Sequence, residues 1–188
     1  MWESLLELDR DLLVFFNNLG IEDYDGFWLF VTRISNWIWL YCLFFMLLFY
    51  RYGWKRGLLY AAGTIVTVVV TLFLTNVVKD YVGRLRPNNE PLLVDLIRIT
   101  SRPQNFSFWS GHSAVSVATA TFVIRSLPWR WTYLFLIWPL LFMLSRIYLG
   151  VHYPLDVLVG GLIGLLFGWL LYRGTRALDN NLKRTGHL

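Results

Sequence analysis

Charge is scarce in this chain. Only 15% of its 188 residues are Asp, Glu, Lys or Arg, against 56% hydrophobic ones, and that balance cannot clothe a water-facing surface. A soluble globular domain is therefore excluded. Cysteine is nearly absent: Cys42 stands alone in an apolar run, which rules out a disulfide within the chain and a cysteine-based metal centre. The start, Met-Trp-Glu-Ser-Leu-Leu-Glu, lacks the basic segment and small-residue cleavage site of a secretory leader. Acidic residues are thin after position 25, where five face sixteen basic ones; the first 25 residues reverse this, with seven acids against Arg10 alone. The net charge of +5 does not point to nucleic acid, because the basic residues are scattered among loops and one cluster rather than along a soluble face.

What is abundant is uninterrupted apolar sequence. Gly57 to Val78 runs for 22 residues without a charge, long enough to cross a bilayer as a helix. The pattern predicts an all-α polytopic membrane bundle, a single domain over residues 1–188, with about five spans plus an N-terminal interfacial helix. Residues 2–20 place apolar positions at helical spacing among five charges, too polar to span; they predict an amphipathic helix in the interface, or equally one packed on the flank of the bundle. Spans are expected at Phe27–Tyr50, Gly57–Val78, Ser110 to before Pro128, Trp131–Tyr148 and Pro154–Tyr172. Arg51, Lys55 and Arg56, then Arg125 and Arg130, then a tail over 173–188, mark the cytoplasmic side by their positive charge, leaving the amino terminus outside. His187 in that tail reads as solvated and inert. The one long connection, Asp80 to Phe106, is broken by Pro87, Pro91 and Pro103, with Glu90 to Thr100 expected as a short amphipathic helix seated on Leu93, Leu96 and Ile97. Gly160, Gly164 and Gly168 at four-residue spacing predict close helix packing inside the bundle rather than a dimer seam.

Ionisable side chains between apolar runs are costly, so they default to function. The stretch Ser145-Arg-Ile-Tyr-Leu-Gly-Val-His-Tyr-Pro-Leu-Asp156 holds three of them. Pro154 suits the first position of a helix, leaving His152 just outside and Asp156 in the first turn, where its carboxylate can hold one imidazole nitrogen and turn the other outward as a nucleophile or base. Arg146 offers a planar fork for an anion. Two further clusters reach the same end of the spans: Lys79, Arg84 and Arg86 with Pro87, and Ser107-Phe-Trp-Ser110-Gly111-His112-Ser113. Fixed cations, two histidines and a Ser-Gly-His turn opening a helix describe a site for a multiply charged oxyanion. Arg84 divides evenly between phosphate contact and solvated charge. Asp80 and Arg102 read as structural ion-pair members, and Phe108 and Trp109 as interfacial anchors that could instead line a lipid entrance.

Lys79-x6-Arg86-Pro87, Ser110-Gly111-His112 and Ser145-Arg146-x5-His152-x3-Asp156 resemble the three signatures of the type 2 phosphatidic acid phosphatase (PAP2) superfamily, in order and at matching internal spacing. Trp109 departs from the pattern by standing where the second signature has proline, as does a count of five spans where members commonly have six. The resemblance implies a membrane lipid phosphatase with a haloperoxidase-like fold. Its catalytic residues would be His152, His112 and Asp156, and its phosphate would be held by Lys79, Arg86, Ser110, Gly111 and Arg146. His152 would form a phosphohistidine, with His112 acting as general acid and then general base. Vanadate or tungstate should occupy such a site. No metal or other cofactor is expected: two histidines and an aspartate suit zinc, but the surrounding cations would repel it. The expected partners are the bilayer and a membrane lipid phosphate, met from the extracytoplasmic face of a bacterial inner membrane. Two alternatives stay open, a phosphotransferase passing the phosphoryl group to a hydroxyl acceptor and a non-enzymatic lipid transporter or binding protein.

Overall fold

The computed structural model describes residues 2–186; His187 lies outside them. Six α-helices make up the architecture: α1 (Trp2–Asn18), α2 (Asp25–Thr32), α3 (Ile38–Val82), α4 (Gly111–Ser126), α5 (Ile137–Tyr148) and α6 (Pro154–Arg184). Among the described residues there is no strand. The expected membrane helical bundle is what forms, but several boundaries move.

The region expected as one span from Phe27 is interrupted at Arg33, whose backbone is extended, and resumes as a 3-10 turn over Ile34–Trp37 before α3. Side chains cause the break. Asn36 Nδ2 donates to Phe30 O at 2.8 Å and Trp37 Nε1 to Val31 O at 2.8 Å, occupying the carbonyls that a continuing helix would use. The loop expected around Arg51, Lys55 and Arg56 shrinks to Gly53, whose φ of 71° reverses the chain within α3. Tyr41 and Leu72 consequently wall the same cavity, although a straight helix would hold them roughly 45 Å apart. Pro139, which has no N–H to give, sits in the first turn of α5, and the residues before it, Arg130–Leu136, wind as a 3-10 helix. α6 continues past Tyr172 to Arg184, so most of the expected tail is helical.

Glu90 to Thr100 forms hydrogen-bonded turns rather than the expected helix. Asn17 of α1 is the reason: its Oδ1 accepts from Arg98 N at 2.6 Å and its Nδ2 donates to Arg98 O and Tyr148 O, pinning both backbone groups of Arg98. Leu93 and Ile97 are buried as expected, whereas Leu96 is turned outward.

Helices that face lipid gain nothing by hiding leucine, so association rests on close backbone approach and polar contacts. α6 follows that logic inside out. Leu158, Leu162, Leu165 and Leu166 are exposed, while Gly160, Gly164 and Gly168 are buried against α4. A Cβ at Gly160 would meet Ser110 O at 2.7 Å, and one at Gly164 would meet Ala114 O at 2.5 Å; the glycine seam packs within the bundle. The second limb of α3 does the same with threonine: Thr64, Thr67, Thr71 and Thr75 are buried, ending at Lys79, while Val69 and Phe73 point outward. α4 thus lies between α3, α5 and α6, and the seam fixes it against α6. Gly164→Ala should lower stability by about 1–3 kcal/mol through overpacking, and should shift α4 relative to α6. The check is the melting temperature in detergent, where an unchanged value would contradict the close packing.

α1 lies against α5 and α6, on the flank of the bundle. Its buried face is narrow and largely polar: Leu5, Leu8, Leu12 and Phe15 are exposed, while Asp9, Leu13 and Asn17 are buried.

Candidate active site

Three separate stretches meet at one end of the bundle. Lys79 lies in the last turn of α3, which closes at Gly83 in the left-handed region, its N–H bonded to Lys79 O. Ser110 caps α4, its Oγ accepting from Ser113 N, and thereby sets Gly111 and His112 in the first turn. Arg146 ends α5, and Pro154 starts α6 with Asp156 in its first turn. A direct bond from Ser110 N to Asp156 O, 3.0 Å long, ties the second stretch to the third.

His152 is at the centre and almost fully buried. Its Nε2 lies 3.0 Å from Arg86 Nη1, and its Nδ1 lies 3.2 Å from Ser107 Oγ. The sequence predicts that Asp156 holds the imidazole directly; instead Oδ2 is 3.5 Å from Nδ1, and the Ser107 hydroxyl stands between, hydrogen-bonded to that oxygen. An ionised carboxylate only accepts, so Ser107 donates to Asp156 and its oxygen accepts from Nδ1–H. The Nε2 lone pair then faces Arg86. Lys79, Arg86, Arg146 and His112 all bear electrostatically on the His152 ring, so the predicted imidazoles and cations share one site. Burial first, then the Arg86, Arg146 and Lys79 cations, push the His152 pKa well below its usual 6.5. The unfolded chain takes up a proton below about 6.5 that the folded imidazole refuses, so this group's contribution to stability is present above that pH and lost beneath it, with a slope of up to about 1.4 kcal/mol per pH unit. The melting temperature should fall less steeply between pH 6.5 and 5 in His152→Gln than in the parent protein.

The remaining predicted residues are distributed around His152. Arg86 Nε and Nη2 donate to the backbone and side-chain oxygens of Asn105, and Nη1 also reaches Val151 O. Lys79 Nζ donates to Phe106 O at 2.6 Å. Arg146 Nη1 donates to Thr32 Oγ1, while its Nε is buried and unpartnered, a donor with capacity for an incoming oxyanion. His112 packs its ring 5.4 Å from that of Phe142 and lines a nearly wholly apolar cavity of about 180 Å³, with Ile34, Tyr41, Leu72 and Trp138 among its walls.

Other sequence expectations need correction. Arg84 is neither a phosphate ligand here nor a solvated charge: Nη1 donates to Asp156 Oδ1 and Nη2 to Asp9 Oδ2, both at 2.7 Å, with the guanidinium 3.7 Å over the Tyr153 ring. Two buried carboxylates and an aromatic face hold it more firmly than water would. Asp80 and Arg102 are exposed and form no ion pair among the described residues. Trp109 is no entrance residue. It is buried and donates from Nε1 to Thr75 Oγ1 at 2.8 Å, plugging the end of the threonine seam.

Two site residues escaped the sequence reading. Ser107 stood in the second cluster without a role. Asp9 was visible only as one of seven early acids, although it lies on the same helical face as Leu13 and Asn17. Its Oδ1 accepts from Leu155 N at 2.7 Å, so α1 reaches the first turn of α6.

A family model described as the PAP2 superfamily matches residues 56–179, which include all three clusters. The chain belongs to the PAP2 superfamily. It is a membrane lipid phosphatase. Among PAP2 relatives, the lipid A 4′-phosphatase of Bacteroides thetaiotaomicron is 34% identical over 177 residues, covering 92% of this chain and 79% of that protein. The undecaprenyl-diphosphatase of Sulfolobus acidocaldarius is 28% identical, covering 89% and 79%. Among solved PAP2 structures, LpxE of Aquifex aeolicus superposes with a TM-score of 0.69 at 25% identity, over 87% of this chain and 93% of that one.

Proposed function

We propose that this PAP2 protein hydrolyses the phosphate monoester or diphosphate of a membrane lipid through a phosphohistidine, on the extracytoplasmic face of a bacterial inner membrane. The observation that carries the reading is the His152 ring, oriented through Nδ1 by Ser107 and Asp156 so that Nε2 presents its lone pair to the cations.

In the proposed first step Nε2 attacks phosphorus in line. The P–N bond forms as the bond to the lipid oxygen breaks, and His112 gives that oxygen its proton. Asp156, through Ser107, stabilises the charge arriving on the imidazole. Arg86 turns its Nη1 from His152 to a non-bridging oxygen. Arg146 Nε, Lys79, the Ser110 hydroxyl and the Gly111 N–H take the others as charge builds on them. Water then gives a proton to His112 and attacks phosphorus, breaking the P–N bond and releasing inorganic phosphate. The apolar cavity beside His112 supports a lipid leaving group, since it can hold part of a hydrocarbon tail next to the proton donor.

The similarity to a lipid A 4′-phosphatase puts a lipid A phosphate first among substrates, ahead of undecaprenyl diphosphate. The test is phosphate release in detergent from lipid A, undecaprenyl diphosphate, phosphatidylglycerol phosphate and phosphatidic acid, with EDTA and no added acceptor. Release from at least one, unaffected by EDTA, is the expected result. Silence on all four, or turnover only after a hydroxyl acceptor is supplied, would replace hydrolysis with binding or transfer. Ser107→Ala should slow turnover by about 10²-fold with little change in KM, because it loosens the imidazole without removing a phosphate ligand.

A further inference from the structure

At the end of the bundle opposite His152 lies a second charged cavity, of about 320 Å³, that the hydrolytic reaction does not use. It is walled by Arg51, Arg56, Arg125, Arg176 and Lys183, with Asp179 as its acid. That carboxylate is committed: Arg56 binds both its oxygens at 2.8 Å, and Lys183 lies at 3.1 Å. Arg51, Arg125 and Arg176 have no carboxylate partner among the described residues; Arg125 and Arg176 instead rest on Tyr172, one over the ring and one on the hydroxyl. Asp156 and Asp179 are separated by 23 residues of one helix, about 35 Å, so the two sites are a bilayer's thickness apart.

We propose that this cavity binds the phosphodiester headgroup of an anionic phospholipid from the leaflet opposite the active site. Three features select a lipid over a soluble anion. The cavity adjoins two others that share Arg125 and Tyr172, so the cationic surface continues around the helix ends rather than opening only outward. One of these is lined by Trp129 and Tyr133, aromatic residues of the kind that sit at headgroup level. The other reaches Arg173, stacked on the partly exposed Trp169, from which exposed Leu170, Leu166 and Leu162 lead along α6 as a lane for acyl chains. Anionic headgroups are drawn to such basic clusters, while a zwitterionic headgroup brings its own cation.

The test uses the full-length protein in micelles doped with phosphatidylglycerol or phosphatidylcholine, with vanadate filling the active site. Retained lipid is counted by native mass spectrometry. Phosphatidylglycerol should be retained in preference to phosphatidylcholine, and R125Q/R176Q should bind it about thirtyfold more weakly, roughly fivefold per arginine. R125K/R176K should keep most of the binding. Both arginines are exposed and outside the catalytic cluster, so phosphate release in detergent should be unchanged and serves as the check on folding. Equal retention by R125Q/R176Q, retention of the lipid only when vanadate is left out, or displacement by an equal concentration of inorganic phosphate would each overturn the proposal. The last would mark a free-anion site.

Discussion

His152→Ala should abolish phosphate release, by a factor on the order of 10⁵ to 10⁶, while the protein still folds and binds vanadate weakly. Removing one member of a unit that acts as nucleophile and base costs about as much as removing the whole unit. Two features favour so large an effect. The imidazole is buried, so water cannot easily replace it, and it is held at both nitrogens, by Ser107 and by Arg86. Folding should survive because the neighbouring polar groups keep other partners: Ser107 still has Asp156, and Arg86 still has Asn105 and Val151 O. Single-turnover kinetics make the distinction. A variant that released phosphate within tenfold of the parent rate would remove His152 from the role of nucleophile; His112→Ala, lacking only the proton donor, should fall by about 10²–10⁴-fold.

The second large effect concerns Arg84. Arg84→Met should destabilise the protein by about 3–5 kcal/mol, because it leaves Asp9 and Asp156 buried without their shared cation. Activity should fall too, since Asp156 would no longer be held toward Ser107. Asp9→Asn should be milder, because Arg84 keeps Asp156 and an amide oxygen can still accept from Leu155 N. In R84M/D9N the two losses should be less than additive, which a double-mutant cycle in detergent would measure. Full additivity would mean that the contact between α1 and Arg84 carries no coupling.

The signature residues of the site could be read in the sequence because each is defined by local spacing. Lys79 with Arg86, Ser110 with His112, and Arg146 with His152 and Asp156 lie within short stretches, and helix ends bring them to one face. What could not be read there depends on contacts across the chain. Arg84 meets Asp9 across 75 residues and Asp156 across 72, and no local pattern separates such a pair from a solvated arginine. Ser107 lies 49 residues from Asp156 and acts on His152 only when the loop is folded over it. The same holds for the fold. Apolar run lengths identified the membrane helices, whereas the break at Arg33, the one-residue reversal at Gly53 and the turns of Glu90–Thr100 follow from particular side chains claiming backbone groups or from one glycine's φ. The glycine seam was legible because small residues at fixed spacing are themselves the packing surface.

The clasp between Asp9 and the start of α6 bears on how the protein can be tagged. A reporter domain fused ahead of Trp2 would be anchored at the same end of the bundle as His152, against the start of α6. A fluorescent or affinity module should therefore be attached after Arg184, where α6 ends away from His152.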